Sequence, residues 1–133
     1  MNRVFVIEDH PIVREGIKKF LRSSEFVVVG EAGDGEDGLE LLRQTECDFV
    51  LVDIRLPKKD GLELTTEIRR TMPHLKIVVL TGVEEDHYAS ILTKAGAAGY
   101  VTKDSSPLEL VRALRAVASG RSYISVTPTQ HTA

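Results

Sequence analysis

Residues 49–64 read FVLVDIRLPKKDGLEL, and their order already describes a strand, a loop and a helix start. Phe49 to Val52 is an apolar run without alternation, as expected of a strand covered on both faces. It ends in an acid, Asp53. Asp60-Gly61-Leu62-Glu63 then has the form of a helix beginning, with Asp60 as cap and Glu63 three residues on. An apolar strand whose last residue is an acid, followed closely by a capped helix, is one βα unit.

The same unit repeats outward in both directions. Short apolar runs occur at Val4–Ile7, Phe26–Val29, Ile77–Leu80 and Tyr100–Val101. Helical periodicity follows each of the five runs. Residues 11–23 carry Val13, Ile17, Phe20 and Leu21; residues 35–45 carry Leu39, Leu41 and Leu42; residues 61–71 carry Leu62, Leu64 and Ile68. Residues 84–95 carry Ile91, Leu92 and Ala95, and residues 107–119 carry Leu108, Val111, Leu114 and Val117. Ser106-Pro107-Leu108-Glu109 reads as a second capped helix start, and Gly96 and Gly120 stand where left-handed C-caps fall. Alternating βα units predict an α/β fold with a parallel sheet, and right-handed crossovers favour a doubly wound five-strand order 2-1-3-4-5. Residues 1–119 form the predicted domain. Residues 120–133 lose apolar periodicity and read as a tail or linker.

Composition narrows the classes. At 133 residues and 14.7 kDa the chain holds one ordinary domain. Seventeen basic against twenty acidic side chains give a net charge of −3, and the chain has no Trp, which argues against a nucleic-acid surface. The lone Cys47 excludes an internal disulfide and Cys-pair metal sites, and reads as a small packed hydrophobe. Glu8 and Asp9 cut the first apolar run, so no signal-peptide core is present, and no apolar stretch approaches a membrane span. A cytoplasmic location is expected.

Ligands of open α/β sheets bind beyond the carboxyl ends of the strands. Glu8 and Asp9 stand there after the first strand, Asp53 after the third, Thr81 and Gly82 after the fourth, and Lys103 after the fifth. In the order 2-1-3-4-5 these residues converge. Carboxylates so placed repel one another unless one is protonated or a cation binds, and an all-oxygen set suits a hard divalent ion such as Mg²⁺. A cation beside Lys103 would hold a phosphoryl group, and a central Asp would accept it. Each residue also has a plain structural reading: Glu8-Asp9 as a helix cap, Thr81 as a strand-end residue, Lys103 as a surface lysine. Among the rest, His10, His74, His87 and His131 show no ligand spacing with one another. Glu84-Glu85-Asp86 favours a helix dipole, and Lys58-Lys59 reads as a solvated loop.

The stretches VFVIEDHPIVREGI, VLVDIRLPKKDGLEL, IVVLTG and KAGAAGYVTKDSSPLELVRAL together resemble the receiver domain of two-component response regulators. The resemblance spans residues 3–119. DHPIVREG and AGAAGYVTKD are similar to the NarL/LuxR-type branch, whose receivers precede a helix-turn-helix domain. It implies a flavodoxin-like (βα)5 fold and a signalling receiver that assists its own phosphotransfer rather than an ordinary enzyme. Asp53 is then the phosphoacceptor, Asp9 and Asp53 ligate Mg²⁺, Glu8 acts through water, and the carbonyl of Arg55 completes the ligands. Thr81 and Lys103 bind the phosphoryl group, and Tyr100 is the aromatic switch. A sensor histidine kinase is the implied partner. A homodimer is expected on phosphorylation, through helices one and five or through helix four, strand five and helix five. DNA is reached only through an output domain expected after residue 133. Asp104 follows Lys103 where the family often has a cis proline, so that geometry does not carry over; Arg55 and Val83 flank the family's route for the hydrolytic water.

Three other readings fit the residues less well. Phosphatases of the haloacid dehalogenase type need a second Asp two residues after the nucleophile, where this chain has Arg55. A nucleotide loop fails because Gly30 and Gly35 are followed by Glu36-Asp37, not Lys and Ser/Thr. An unphosphorylated interaction module of the same fold is disfavoured by the complete set of acids with Thr81 and Lys103.

Overall fold

The computed structural model describes residues 2–82, 89–103 and 107–124. The elements in chain order are β1 (Arg3–Ile7), α1 (Pro11–Leu21), β2 (Val27–Ala32), α2 (Gly35–Arg43), β3 (Phe49–Asp53) and α3 (Gly61–Thr71). They continue with β4 (Lys76–Thr81), α4 (Ala89–Ala95), β5 (Gly99–Thr102), α5 (Pro107–Ala118) and β6 (Tyr123–Ile124). The sheet is parallel in the order β2-β1-β3-β4-β5-β6. The expected order 2-1-3-4-5 is its core.

β3 is central and every one of its residues is buried. Its side chains divide between two cores, because successive residues of a strand point to opposite faces. Val50 and Val52 join Phe5, Ile7, Leu64, Ile68, Leu92 and Tyr100 in one cluster. Phe49 and Leu51 join Val4, Val6, Leu21, Val111, Leu114 and Val117 in the other. Phe49 meets Phe26 edge to face, with centroids 5.6 Å apart. Each such side chain removed from water contributes about 1.5–3 kcal/mol, and this burial anchors the strands whose ends carry the acids.

The predicted caps at the described ends are present. Asp60 and Glu63 form a reciprocal capping box on α3, and Gly96 (φ +120°) and Gly120 (φ +88°) adopt left-handed conformations after α4 and α5. The Ser106 cap, Val83, Glu84-Glu85-Asp86, His87, Asp104 with its peptide bond to Lys103, His131 and the tail beyond Ile124 lie outside the described residues.

The structure departs from the sequence reading in four places. β2 is an edge strand, so Val27 (59% exposed) and Val29 face solvent although the run is continuous. Leu41, Ile91 and Leu108 are exposed; each abuts or lies near a buried neighbour in sequence but falls outside the narrow core-facing stripe of its helix. Residues 123–124 form β6 rather than irregular tail. Gly120 turns the chain, Tyr123 N donates to Ala98 O at 3.1 Å, and the Tyr123 ring packs on the α5-side core, so the edge of β5 is partly covered. The Lys58-Lys59 loop is pinned: Lys58 sits at φ 71°, and Lys59 Nζ pairs with Glu67 Oε1 at 2.8 Å.

Candidate functional site

Strand register brings the predicted residues together. β1 and β3 lie side by side with Ile7 opposite Val52, so the residues that follow Ile7 emerge beside Asp53. Asp53 stands opposite Leu80, and Thr81 opposite Thr102, which places Thr81 and Lys103 on the same rim. Glu8, Asp53 and Thr81 are buried at 0%, 2% and 0% exposure.

Lys103 Nζ lies 3.0 Å from Asp53 Oδ2 and 3.0 Å from Glu8 Oε1. Asp53 Oδ1 accepts a hydrogen bond from Arg55 N at 3.2 Å, which folds the β3–α3 loop back over the acid. Burial and the neighbouring Glu8 push the Asp53 carboxyl up to about 6, against the pull of Lys103. Burial alone would lower the Lys103 ammonium, but its hydrogen bonds to Asp53 and Glu8 outweigh this and raise it. Lys103 is therefore a fixed cation between two acids, not a surface lysine.

Glu8 and Asp9 do not cap α1. Its N-cap position is His10, whose side chain makes no capping bond, and the first turn carries no acid. The imidazole instead turns back, placing Nδ1 2.7 Å from Glu8 Oε2 and 3.1 Å from Asp9 Oδ1, while His10 N donates to the same Glu8 oxygen at 3.0 Å. The hydrogen bond to Glu8 and the charges of both acids raise the His10 ring above its ordinary value. Spacing among the histidines does not mark His10; its position directly after Glu8-Asp9 is the signal that the sequence carries. Arg14 was also missed. Its Nη1 donates to Glu8 O at 2.7 Å and its Nε to Glu31 Oε1 at 2.9 Å, tying the β1–α1 turn to β2.

Donor atoms of Glu8, Asp9, His10 and Asp53 lie within 4.8 Å of one another. Asp9 Oδ1 is buried and accepts no hydrogen bond among the described residues. Converging carboxylates, one with an orphaned oxygen and one held protonated up to about 6, are a donor set that a hard divalent cation satisfies. A cleft of about 680 Å³ lined by Asp9, Arg55, Pro57 and Asp60 opens beside them.

Thr81 Oγ1 donates to Gly82 O at 3.2 Å, and the Tyr100 hydroxyl reaches Thr81 Oγ1 at a long 3.5 Å. The Tyr100 ring is 1% exposed, so it already occupies the interior beside Thr81. Cys47 is buried and its thiol is pushed up to about 11 by burial, which leaves it inert.

Comparison with known proteins identifies the family and the fold. The profile of the response regulator receiver domain family matches residues 4–115. The response regulator GacA of Pseudomonas aeruginosa is 45% identical over 126 residues, covering 94% of this chain and 59% of the relative. The chain thus spans about three fifths of the length of that relative. A LuxR-family two-component response regulator from an Aurantimonas species superposes with a TM-score of 0.86 at 40% identity, over 92% of this chain and 89% of the other. The isolated receiver of RcsB from Salmonella enterica, solved with the phosphomimetic BeF3⁻, gives 0.86 at 32% identity and 92% coverage of both chains. No described helix is long and apolar enough to cross a membrane. With the family profile covering most of the chain and the acids, threonine and lysine gathered on one sheet rim, this chain belongs to the receiver domains of two-component response regulators, in the NarL/LuxR-type branch.

Proposed function

We propose that this receiver acts in the cytoplasm and takes a phosphoryl group onto Asp53 from a phosphohistidine of a sensor histidine kinase. The observation that carries this is Asp53 itself: a buried carboxylate at the end of the central strand, with Lys103 3.0 Å from Oδ2. A carboxylate oxygen of Asp53 attacks phosphorus in line. The P–N bond to the donor imidazole breaks, its electron pair stays on that nitrogen, and the ring leaves as neutral imidazole because its other nitrogen carries a proton. Lys103 neutralises the charge gathering on the phosphoryl oxygens, and the Thr81 hydroxyl exchanges Gly82 O for one of them.

Asp9, Asp53 and the carbonyl of Arg55 are the proposed Mg²⁺ ligands, with Glu8 acting through water. The bound ion supplies charge neutralisation of the acids and the phosphoryl group. Without it the acid cluster depends on Lys103, His10 and a proton.

Thr81 and Tyr100 form the proposed switch. A phosphoryl group that draws Thr81 toward Asp53 changes what the buried Tyr100 hydroxyl meets, and so biases the surface of α4, β5 and α5 between two states. A homodimer formed on phosphorylation, and control of DNA by an output domain joined through residues 120–133, complete the reading. It is supported by the likeness to GacA, of which this chain covers 59%.

Intact-mass measurement after incubation with a small phosphodonor tests the chemistry, with and without Mg²⁺, on wild type and Asp53→Asn. One Mg²⁺-dependent phosphoryl adduct on wild type alone supports it. No adduct on wild type overturns it, and an adduct surviving Asp53→Asn moves the acceptor elsewhere.

A further inference from the structure

The imidazole of His10 is the one nitrogen ligand type in the acidic group of Glu8, Asp9 and Asp53. An N-cap position calls for a side chain that accepts from the first turn, yet His10 makes no such bond and leaves α1 without a side-chain cap. Its ring is 62% exposed, free to swing into solvent, and instead lies over the carboxylates.

We propose that His10 is a metal-selecting residue: its Nδ1 enters the coordination shell at Asp9 and turns an all-oxygen site into a mixed oxygen–nitrogen one that favours divalent transition ions over Mg²⁺. The inference rests on the acidic metal site proposed above and adds one ligand to it. Neighbouring ligands on an octahedron about a divalent ion at about 2.1 Å stand about 3 Å apart. His10 Nδ1 and Asp9 Oδ1 are 3.1 Å apart, and that Asp9 oxygen is the buried one without a hydrogen bond. Asp53 completes the group within 4.8 Å. The backbone is already set for this: His10 N is held by Glu8 Oε2, and Arg14 holds the Glu8 carbonyl, so the turn that carries the ring is fixed on both sides.

Chemical softness then gives the direction. Imidazole nitrogen is a poor ligand for Mg²⁺ and a good one for Co²⁺ and its neighbours in the transition series. An all-oxygen site also prefers Co²⁺ to Mg²⁺, so the telling quantity is how the preference changes when the ring is removed. Binding displaces any proton that Nδ1 shares with Glu8, as metal binding to histidine generally does.

The test is calorimetric titration of the whole chain with Co²⁺ and with Mg²⁺, at about pH 8, on wild type and His10→Ala. Loss of the ring is expected to weaken Co²⁺ at least about 10-fold, the lower end of the range seen when a single partner of a metal site is removed, and Mg²⁺ less than about 2-fold. Pulsed electron paramagnetic resonance of the Mn²⁺-loaded wild type gives a readout independent of any variant: modulation from one directly bound ¹⁴N is expected, and its loss in His10→Ala. Equal weakening of both ions, or no ¹⁴N coupling in wild type, overturns the role of His10 and leaves the acidic site standing. Wild type that binds neither ion overturns the site and the ligand together.

Discussion

Lys103 reaches two buried carboxylates at once, 3.0 Å from Asp53 Oδ2 and 3.0 Å from Glu8 Oε1, although fifty residues of chain separate it from Asp53. The pair of contacts makes the ammonium the internal counter-charge of the site. Its replacement, Lys103→Met, leaves both acids buried without it. The Asp53 carboxyl, at about 6 with Lys103 in place, is expected to titrate higher still. Carboxyl ¹³C NMR across the acid range measures this directly. A midpoint that stays put or falls would show that Lys103 does not govern Asp53. The same variant is expected to lose about 3 kcal/mol of stability at neutral pH, as when one partner of a buried ion pair is removed.

Burial and Glu8 raise Asp53 from 3.8 in the unfolded chain to about 6 in the fold. A raised carboxyl binds more protons folded than unfolded between those values. Its penalty is therefore absent below about pH 4 and grows until about pH 6, where stability has been lost. Asp53→Asn removes the penalty. The metal-free variant is expected to be more stable than wild type at neutral pH by about 1–3 kcal/mol, with the gain vanishing as pH falls below about 4. Urea unfolding at a series of pH values in chelator decides it; a gain that is constant with pH would mean that another effect of the amide is being measured.

Divalent ions act on the same balance with the opposite dependence. Mg²⁺ is expected to stabilise wild type above about pH 6, where Asp53 is ionised, and to lose its effect as protons compete below that value. Melting curves with and without the ion, at two pH values, are sufficient. Stabilisation independent of pH would place the ion elsewhere.

Gly61 starts α3 where the β3–α3 loop returns on itself. A Cβ there would stand 2.5 Å from Ile54 Cα and 2.8 Å from Asp53 O, both backbone atoms that cannot move alone. Gly61→Ala is expected to cost about 1–3 kcal/mol, the range for overpacking, and to slow phosphoryl acceptance by shifting Asp53. Unfolding curves and intact-mass time courses read the two effects separately. Full stability in the variant would mean that the loop is looser than its contacts imply.

Thr81 is fully buried, donates to Gly82 O and accepts from Tyr100. Thr81→Val keeps the shape and removes the hydroxyl, so a modest stability loss of about 1–2 kcal/mol is expected, with at least tenfold slower phosphoryl acceptance. Thr81→Ser should restore most of the rate. If Val and Ser behave alike, the hydroxyl is not the active feature.

Periodicity and punctuation were enough for most of the fold. The continuous run Phe49–Val52, the Asp60/Glu63 capping box and the glycines at 96 and 120 act locally, through side-chain alternation, hydrogen bonds within one turn and backbone freedom, so each is written in a few consecutive residues. The acids, Thr81 and Lys103 were legible for the same reason: each directly ends or follows an apolar strand, and parallel order puts all strand ends on one rim. What the sequence alone could not rank is whatever depends on neighbours far along the chain. Leu41 and Leu108 carry no mark that separates them from Leu42 and Leu110; only the packed sheet decides which side is covered. β6 is two residues long, too short for any period, and exists because the edge of β5 offers partners to Tyr123. The rise of Asp53 and the turning of His10 onto Glu8 and Asp9 are likewise properties of the assembled rim. Sequence determined which chemical groups stand at the strand ends; the tertiary structure set their distances and burial, and electrostatic energy depends on those two quantities.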